Sequence, residues 1–191
     1  MARWEPDARG RLIQAAIDLF DEQGYDQTTV AQIAERAGLT KTTFFRHFPD
    51  KREVLFIGQA ALMEHARAGV AATPADADAL TAVAAAIEAM AKAHTEQQRE
   101  YGQQLGEVVA ASDELRERAA FKRASIATAM TDALVAKGES QLTAELAAEL
   151  GVRAYYLGFQ RWVQPKNRKS MPTLCGEALA EVRAALTTLA V

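Results

Sequence analysis

Two short helices joined by a three-residue turn constrain this chain more than any other feature. Thr29, with Gln32 three residues later, has the spacing of a capping box. Val30, Ile33, Ala34 and Ala37 then share one helical face, and Gly38 ends the helix after about two turns. Thr40 can cap a second helix from Lys41 to about Phe48. A glycine-bearing turn of this length sets two helices roughly 90–120° apart, the geometry of a helix-turn-helix. In that geometry the first helix braces the backbone and the second offers its start to the major groove. The start here is Thr40, Lys41, Thr42 and Thr43, polar side chains able to reach phosphate oxygens and base edges. Phe44 and Phe48, four apart, face inward. Upstream, Leu12, Ile13, Ala16, Ile17, Leu19 and Phe20 form the stripe of an earlier helix that stops at Gly24. Downstream, Pro49-Asp50 breaks the second short helix and is expected to open a longer one over about 51–70, with Val54, Leu55 and Leu62 facing inward.

Charge supports the same segment. The 191-residue chain carries a net charge of −3, unlike a protein that coats nucleic acid indiscriminately. Between Arg36 and Arg52, however, stand Arg36, Lys41, Arg46, Lys51 and Arg52 against the lone acid Asp50. The single cysteine, Cys175, excludes an intrachain disulfide and any cysteine cluster for zinc. No apolar run approaches the roughly 20 residues that span a bilayer, and the polar stretch from Met1 to Gly10 does not read as a signal peptide. These features imply no membrane partner and a cytoplasmic protein.

Beyond the head the pattern stays helical, because alanine is abundant and β-branched runs are missing. Helices are expected over about 79–99, 101–111, 113–137 and 141–163, with a last one using Leu174, Ala178, Val182, Ala185 and Leu189. The loop over residues 72–78 and the basic loop over 164–172 separate them. The fold class is therefore all-α with about nine helices: a head over residues 1–55 and a larger helical body over 56–191. Nothing points to catalysis. His47, His65 and His94 are scattered, with no HExxH, GxSxG or glycine-rich phosphate loop. No catalytic residue, metal or cofactor is expected.

The stretch from Thr28 to Leu55, TTVAQIAERAGLTKTTFFRHFPDKREVL, resembles the DNA-binding head of the tetracycline-repressor (TetR) family. The likeness covers roughly residues 9–56. It joins Ile33-Ala34, Ala37-Gly38, Thr40-Lys41, His47-Phe48 and Lys51 at the family's spacing. It implies that Thr29 caps and touches phosphate, that Thr40, Lys41, Thr42 and Thr43 meet the groove, and that Arg46, His47 and Lys51 lie at the DNA backbone. Phe45, also a DNA-binding candidate, stands where the family most often has tyrosine, whose hydroxyl commonly bonds phosphate; a phenyl ring cannot make that bond, which leaves it an apolar contact to a thymine methyl. Thr42 stands where the family often has glycine. The resemblance further implies a ligand-responsive regulator, more often a repressor, that binds a pseudo-palindromic operator in double-stranded DNA as a homodimer. A small, largely apolar effector would release it. The effector would lie in the body, with Met90, His94, Phe121, Tyr155, Phe159 and Trp162 as candidates, and Tyr101 beside them. His94, Arg153 or Arg161 would supply a polar anchor. Ala147, Gly151, Ala154 and Gly158 put small residues on one face of the 141–163 helix, where another backbone can approach. That partner is either a second copy of the chain or a neighbouring helix of the same one.

Overall fold

The computed structural model describes residues 7–56, 58–100 and 102–189, and Gln97 by its backbone alone. Residues 1–6 and Tyr101 lie outside the described residues. Among those described there are ten α-helices and one 3-10 turn, with no strand. They divide into two compact units, one within Met1–Ile57 and Gln104–Ala119, the other within Gly58–Gln103 and Ala120–Val191.

In the first unit, α1 (Ala8–Gln23) starts where Asp7 accepts the Gly10 amide at 2.8 Å. It buries Leu12, Ala15, Ala16, Ile17, Leu19 and Phe20, one face at helical spacing. Tyr25 follows, buried, with its ring 5.2 Å from that of Phe20. α2 (Val30–Arg36) has the expected capping box: Gln32 N donates to Thr29 Oγ1 at 3.2 Å, and Thr29 N donates to Gln32 Oε1 at 2.8 Å. Its end is closed by Leu39 N donating to Ala34 O and Gly38 N donating to Glu35 O, the bond pair of a Schellman motif. Gly38 adopts φ 66°, which explains the glycine. α3 (Lys41–His47) follows at once, capped by Thr40 Oγ1 accepting the Thr43 amide at 3.1 Å.

The long helix expected from Pro49-Asp50 is not formed. Asp50 Oδ1 accepts the Glu53 amide at 3.0 Å and caps a single 3-10 turn, Glu53–Phe56, that buries Val54 and Leu55. α4 (Gln59–Ala71) begins only after Gly58, whose φ of 85° cannot continue a right-handed helix.

The second unit contains α4, α5 (Ala79–Lys92) and α6 (Glu96–Glu100), together with α9 (Gln141–Trp162) and α10 (Met171–Leu189). α7 (Gly102–Ala111) and α8 (Asp113–Ala136) each contribute residues to both units. α4 packs on α5, and α5, α9 and α10 pack on one another. Val83, Ile87 and Met90 of α5 share the core with Ile126, Met130 and Leu134 of α8, and with Val152 and Tyr155 of α9. The small residues of α9 serve this core. Ala147, Gly151, Ala154 and Gly158 are all buried, and a Cβ on Gly158 would lie 2.5 Å from Cys175 Sγ and 2.8 Å from its Cα. Their partner helices thus belong to the same chain. The helix expected over 79–99 is two, because Thr95 starts a new one: its amide donates to Gln98 Oε1 at 2.8 Å and Gln98 N donates to Thr95 Oγ1 at 3.3 Å.

Candidate nucleic-acid interface

α3 has two faces set by its register. Phe44 is fully buried, and its ring lies 5.4 Å from that of buried Phe48 at the helix end. On the other side Lys41, Thr42, Phe45 and Arg46 are exposed, within an arc of about 140° at 3.6 residues per turn. The Thr40 cap and the Gly38 closure fix where that arc begins and how α3 leaves α2. Both threonines at the caps are occupied locally. Thr29 Oγ1 lies 2.9 Å from Gln32 Oε1, and Thr40 Oγ1 lies 3.0 Å from Thr43 Oγ1. His47 is half-buried, and its Nε2 is buried with no hydrogen-bond partner.

The basic residues divide by what they hold. Arg36 makes a two-pronged pair with Glu22, at 2.9 and 2.7 Å, and this guanidinium holds the Glu22 carboxyl below its ordinary value. Arg52 pairs with Asp50 at 2.9 Å and with Glu114 at 3.2 Å. Burial works against ionisation of Asp50, but Arg52 and the Glu53 amide outweigh it and keep its pKa low. Lys51 donates to Tyr25 O at 2.8 Å and Thr28 O at 3.1 Å, with its ammonium 4.0 Å from the centre of the Tyr25 ring. Lys41 and Arg46 are exposed and make no ion pair among the described residues. Within the segment from Arg36 to Arg52, the charge left open to a polyanion therefore concentrates on α3.

Sequence reasoning missed the partners from residues 104–119. Tyr25 Oη donates to Glu114 Oε1 at 3.2 Å, and Arg118 Nε donates to Glu53 Oε1 at 2.5 Å. Burial, reinforced by Glu114, raises the Tyr25 pKa, so its hydroxyl stays protonated. No local pattern signals a contact 89 residues away.

In the second unit, four of the effector candidates come together. The His94 ring lies 6.0 Å from Tyr155, 5.6 Å from Phe159 and 5.7 Å from Trp162. Tyr155 Oη and His94 Nε2 are 2.6 Å apart, and His94 Nδ1 is 3.2 Å from Gln98 Oε1. Gln98 Oε1 already accepts the Thr95 amide, which identifies it as the oxygen. His94 therefore carries its proton on Nδ1 and accepts from the Tyr155 hydroxyl. Burial lowers the His94 pKa against the opposing Gln98 bond, and burial raises that of Tyr155. Both are neutral at pH 7. Met90 is fully buried in the core shared with Tyr155 and Trp162, whereas Phe121 is 61% exposed on α8. Of the other polar anchors considered, Arg161 is bound to Glu181 by two 2.7 Å contacts, and Arg153 is exposed.

Comparison with known proteins bears on the head most directly. Residues 12–56 match the family described as bacterial regulatory proteins, tetR family. The HTH-type transcriptional regulator TcmR of Streptomyces glaucescens is 42% identical over 82 residues, 43% of this chain and 36% of that protein. An uncharacterized HTH-type regulator of Mycobacterium bovis is 33% identical over 91 residues, 48% and 47% of the two. The chain thus spans less than half the length of these relatives. The structure of FadR from Bacillus subtilis, in complex with stearoyl-CoA, has the same fold over 91% of this chain and 96% of that one, with a TM-score of 0.60 at 18% identity. The fatty acid degradation regulator FadR of Bacillus halodurans does so over 94% and 96%, with a TM-score of 0.57 at 16% identity. The capped α2–turn–α3 unit and the matched residues 12–56 show that this chain carries a head similar to that of the bacterial regulatory proteins of the tetR family.

Proposed function

We propose that this protein is a transcriptional regulator that binds a pseudo-palindromic operator in double-stranded DNA as a homodimer, represses, and is released by a small, largely apolar effector. The observation that carries the reading is the α3 face. Lys41, Thr42, Phe45 and Arg46 are exposed on one side of a helix whose other side is anchored by Phe44. Among the described residues Lys41 and Arg46 have no acidic partner, so they are available to phosphate. One such helix reads only a few base pairs, and two heads about 34 Å apart would read both halves of a palindrome. An apolar surface suited to pairing lies on α9 and α10, where Leu142, Leu146, Leu186 and Leu189 are exposed. The grouped rings of His94, Tyr155, Phe159 and Trp162 favour an effector with a substantial apolar part. Stearoyl-CoA in the Bacillus subtilis FadR structure makes acyl thioesters a sensible first class to screen. No described helix is long and apolar enough to cross a membrane, and a site of action on cytoplasmic DNA follows from the reading.

The test is selection of binding sequences from a random duplex pool with the purified protein, followed by affinity measurements on the winner at two salt concentrations. A palindromic winner whose affinity falls steeply with salt is expected. Failure of folded, ligand-free protein to enrich any sequence would refute the reading.

A further inference from the structure

Phe45 is an anomaly on the surface that bears it. It is 52% exposed, and among the described residues of the head unit no other large apolar side chain is comparably open. Its ring meets Phe44 edge-on, with centres 5.5 Å apart and planes at 84°. Phe44 is itself fully buried, so the exposed ring stands on a rigid support rather than on a mobile stem. On the same arc of α3 lie Lys41, Thr42 and Arg46, all exposed and polar. Leaving an aromatic ring in water on a cationic face is unfavourable unless something apolar covers it in the working state.

We infer that Phe45 is a specificity-determining residue that packs on the C5-methyl group of a thymine in the major groove. The inference rests on the DNA-binding reading above and deepens it. A phenyl ring has no hydroxyl, so it makes no hydrogen bond to a phosphate or to a base edge. Base faces within a duplex are covered by their stacked neighbours. The major-groove edges carry hydrogen-bonding groups at every base pair, and the apolar group among them is the thymine methyl. Lys41 and Arg46 flank the ring on the arc. Their contacts with phosphates or bases would bring the ring to the groove floor without any demand on its own chemistry.

The test uses the full-length protein and its selected operator. Each thymine is replaced in turn by deoxyuridine, which removes the methyl and leaves the base-pairing pattern intact. Affinities are measured for the native protein, F45L, F45A and F45Y, with unchanged thermal melting as the check on folding. In the native protein, one thymine per half-site is expected to cost about fourfold in affinity when its methyl is removed. F45Y should keep that dependence, because the ring is kept. F45A should bind more weakly and lose it, so that thymine and uracil operators bind alike. Two results would overturn the inference: tolerance of every deoxyuridine within about 1.5-fold by the native protein, or an undiminished methyl dependence in F45A and F45L. If no duplex is selected at all, the DNA-binding reading fails first, and this inference fails with it.

Discussion

Replacing Lys51 by methionine separates two roles that a lysine in this position can have. In the structure its ammonium is bound to Tyr25 O at 2.8 Å and to Thr28 O at 3.1 Å, over the Tyr25 ring at 4.0 Å. It closes the loop between α1 and α2 and thereby sets where α2 begins. Hydrogen bonds from a charged donor contribute roughly 1.5–3 kcal/mol each in protected sites, and a cation over an aromatic ring adds about 0.5–1 kcal/mol. Lys51 is half-buried, so solvent screening reduces these values, and about 2 kcal/mol is the expected loss in K51M. Methionine keeps the apolar stem against Tyr25, so the loss is that of the ammonium alone. For a chain of this length it corresponds to a fall of about 4–8 °C in melting temperature. Thermal and urea unfolding followed by circular dichroism measure it. The slope of log affinity against log salt on a selected duplex gives the second readout. A lysine held inside the head leaves that slope nearly unchanged, whereas each lost phosphate contact lowers it by about one. Melting of K51M within 1 °C of the native protein, with the salt slope reduced by about one, would refute the reasoning and assign Lys51 to the DNA.

Three other outcomes are expected. G38A should destabilise the head by about 1 kcal/mol through backbone strain alone, because φ is 66° and a Cβ there meets nothing within 4 Å; equal urea midpoints for G38A and native protein would contradict it. His94 should make stability fall in mild acid: its folded pKa lies below the ordinary 6.5, so its contribution is complete above the unfolded value and is lost as pH falls through the folded one. The drop in melting temperature between pH 7.5 and 5.5 should be smaller in H94Q than in the native protein, and equal drops would discount His94. L146E should weaken self-association at least tenfold in sedimentation equilibrium while leaving helix content intact, since Leu146 is exposed on α9.

The head was legible because its signals are local. Thr29 with Gln32 and Thr40 ahead of Lys41 are capping patterns confined to four residues, and both caps form as read. The same rule applied to Thr95 and Gln98 marks the break between α5 and α6, which a run of good helix formers conceals. Other features were not legible, because they depend on contacts distant in sequence. The pairing of Arg52 with Glu114 and of Arg118 with Glu53 joins segments about sixty residues apart, which no periodicity encodes. The small-residue face of α9 illustrates the same limit. Spacing shows that a backbone approaches Gly158 but not whose, and Cys175 of the same chain answers it. In the second unit, the family resemblance nominated His94, Tyr155, Phe159 and Trp162 one by one. Their convergence requires α9 to lie beside the end of α5, and that is a property of the packed core.

The charges explain why a local count of basic residues is a poor guide to a polyanion surface. Five bases crowd the segment from Arg36 to Arg52, yet Arg36 is neutralised by Glu22, Arg52 by Asp50 and Glu114, and Lys51 is turned onto two carbonyls. Exposed pairs of this kind contribute little to stability. They do, however, neutralise positive charge on either side of α3 within this segment and leave that of Lys41 and Arg46 open. Nonspecific attraction to DNA grows with every open cation and carries no sequence information. Engaging Arg36, Lys51 and Arg52 while leaving Lys41 and Arg46 open beside Thr42 and Phe45 limits that attraction. On the proposed DNA-binding reading, a larger share of the affinity would then come from contacts made by α3.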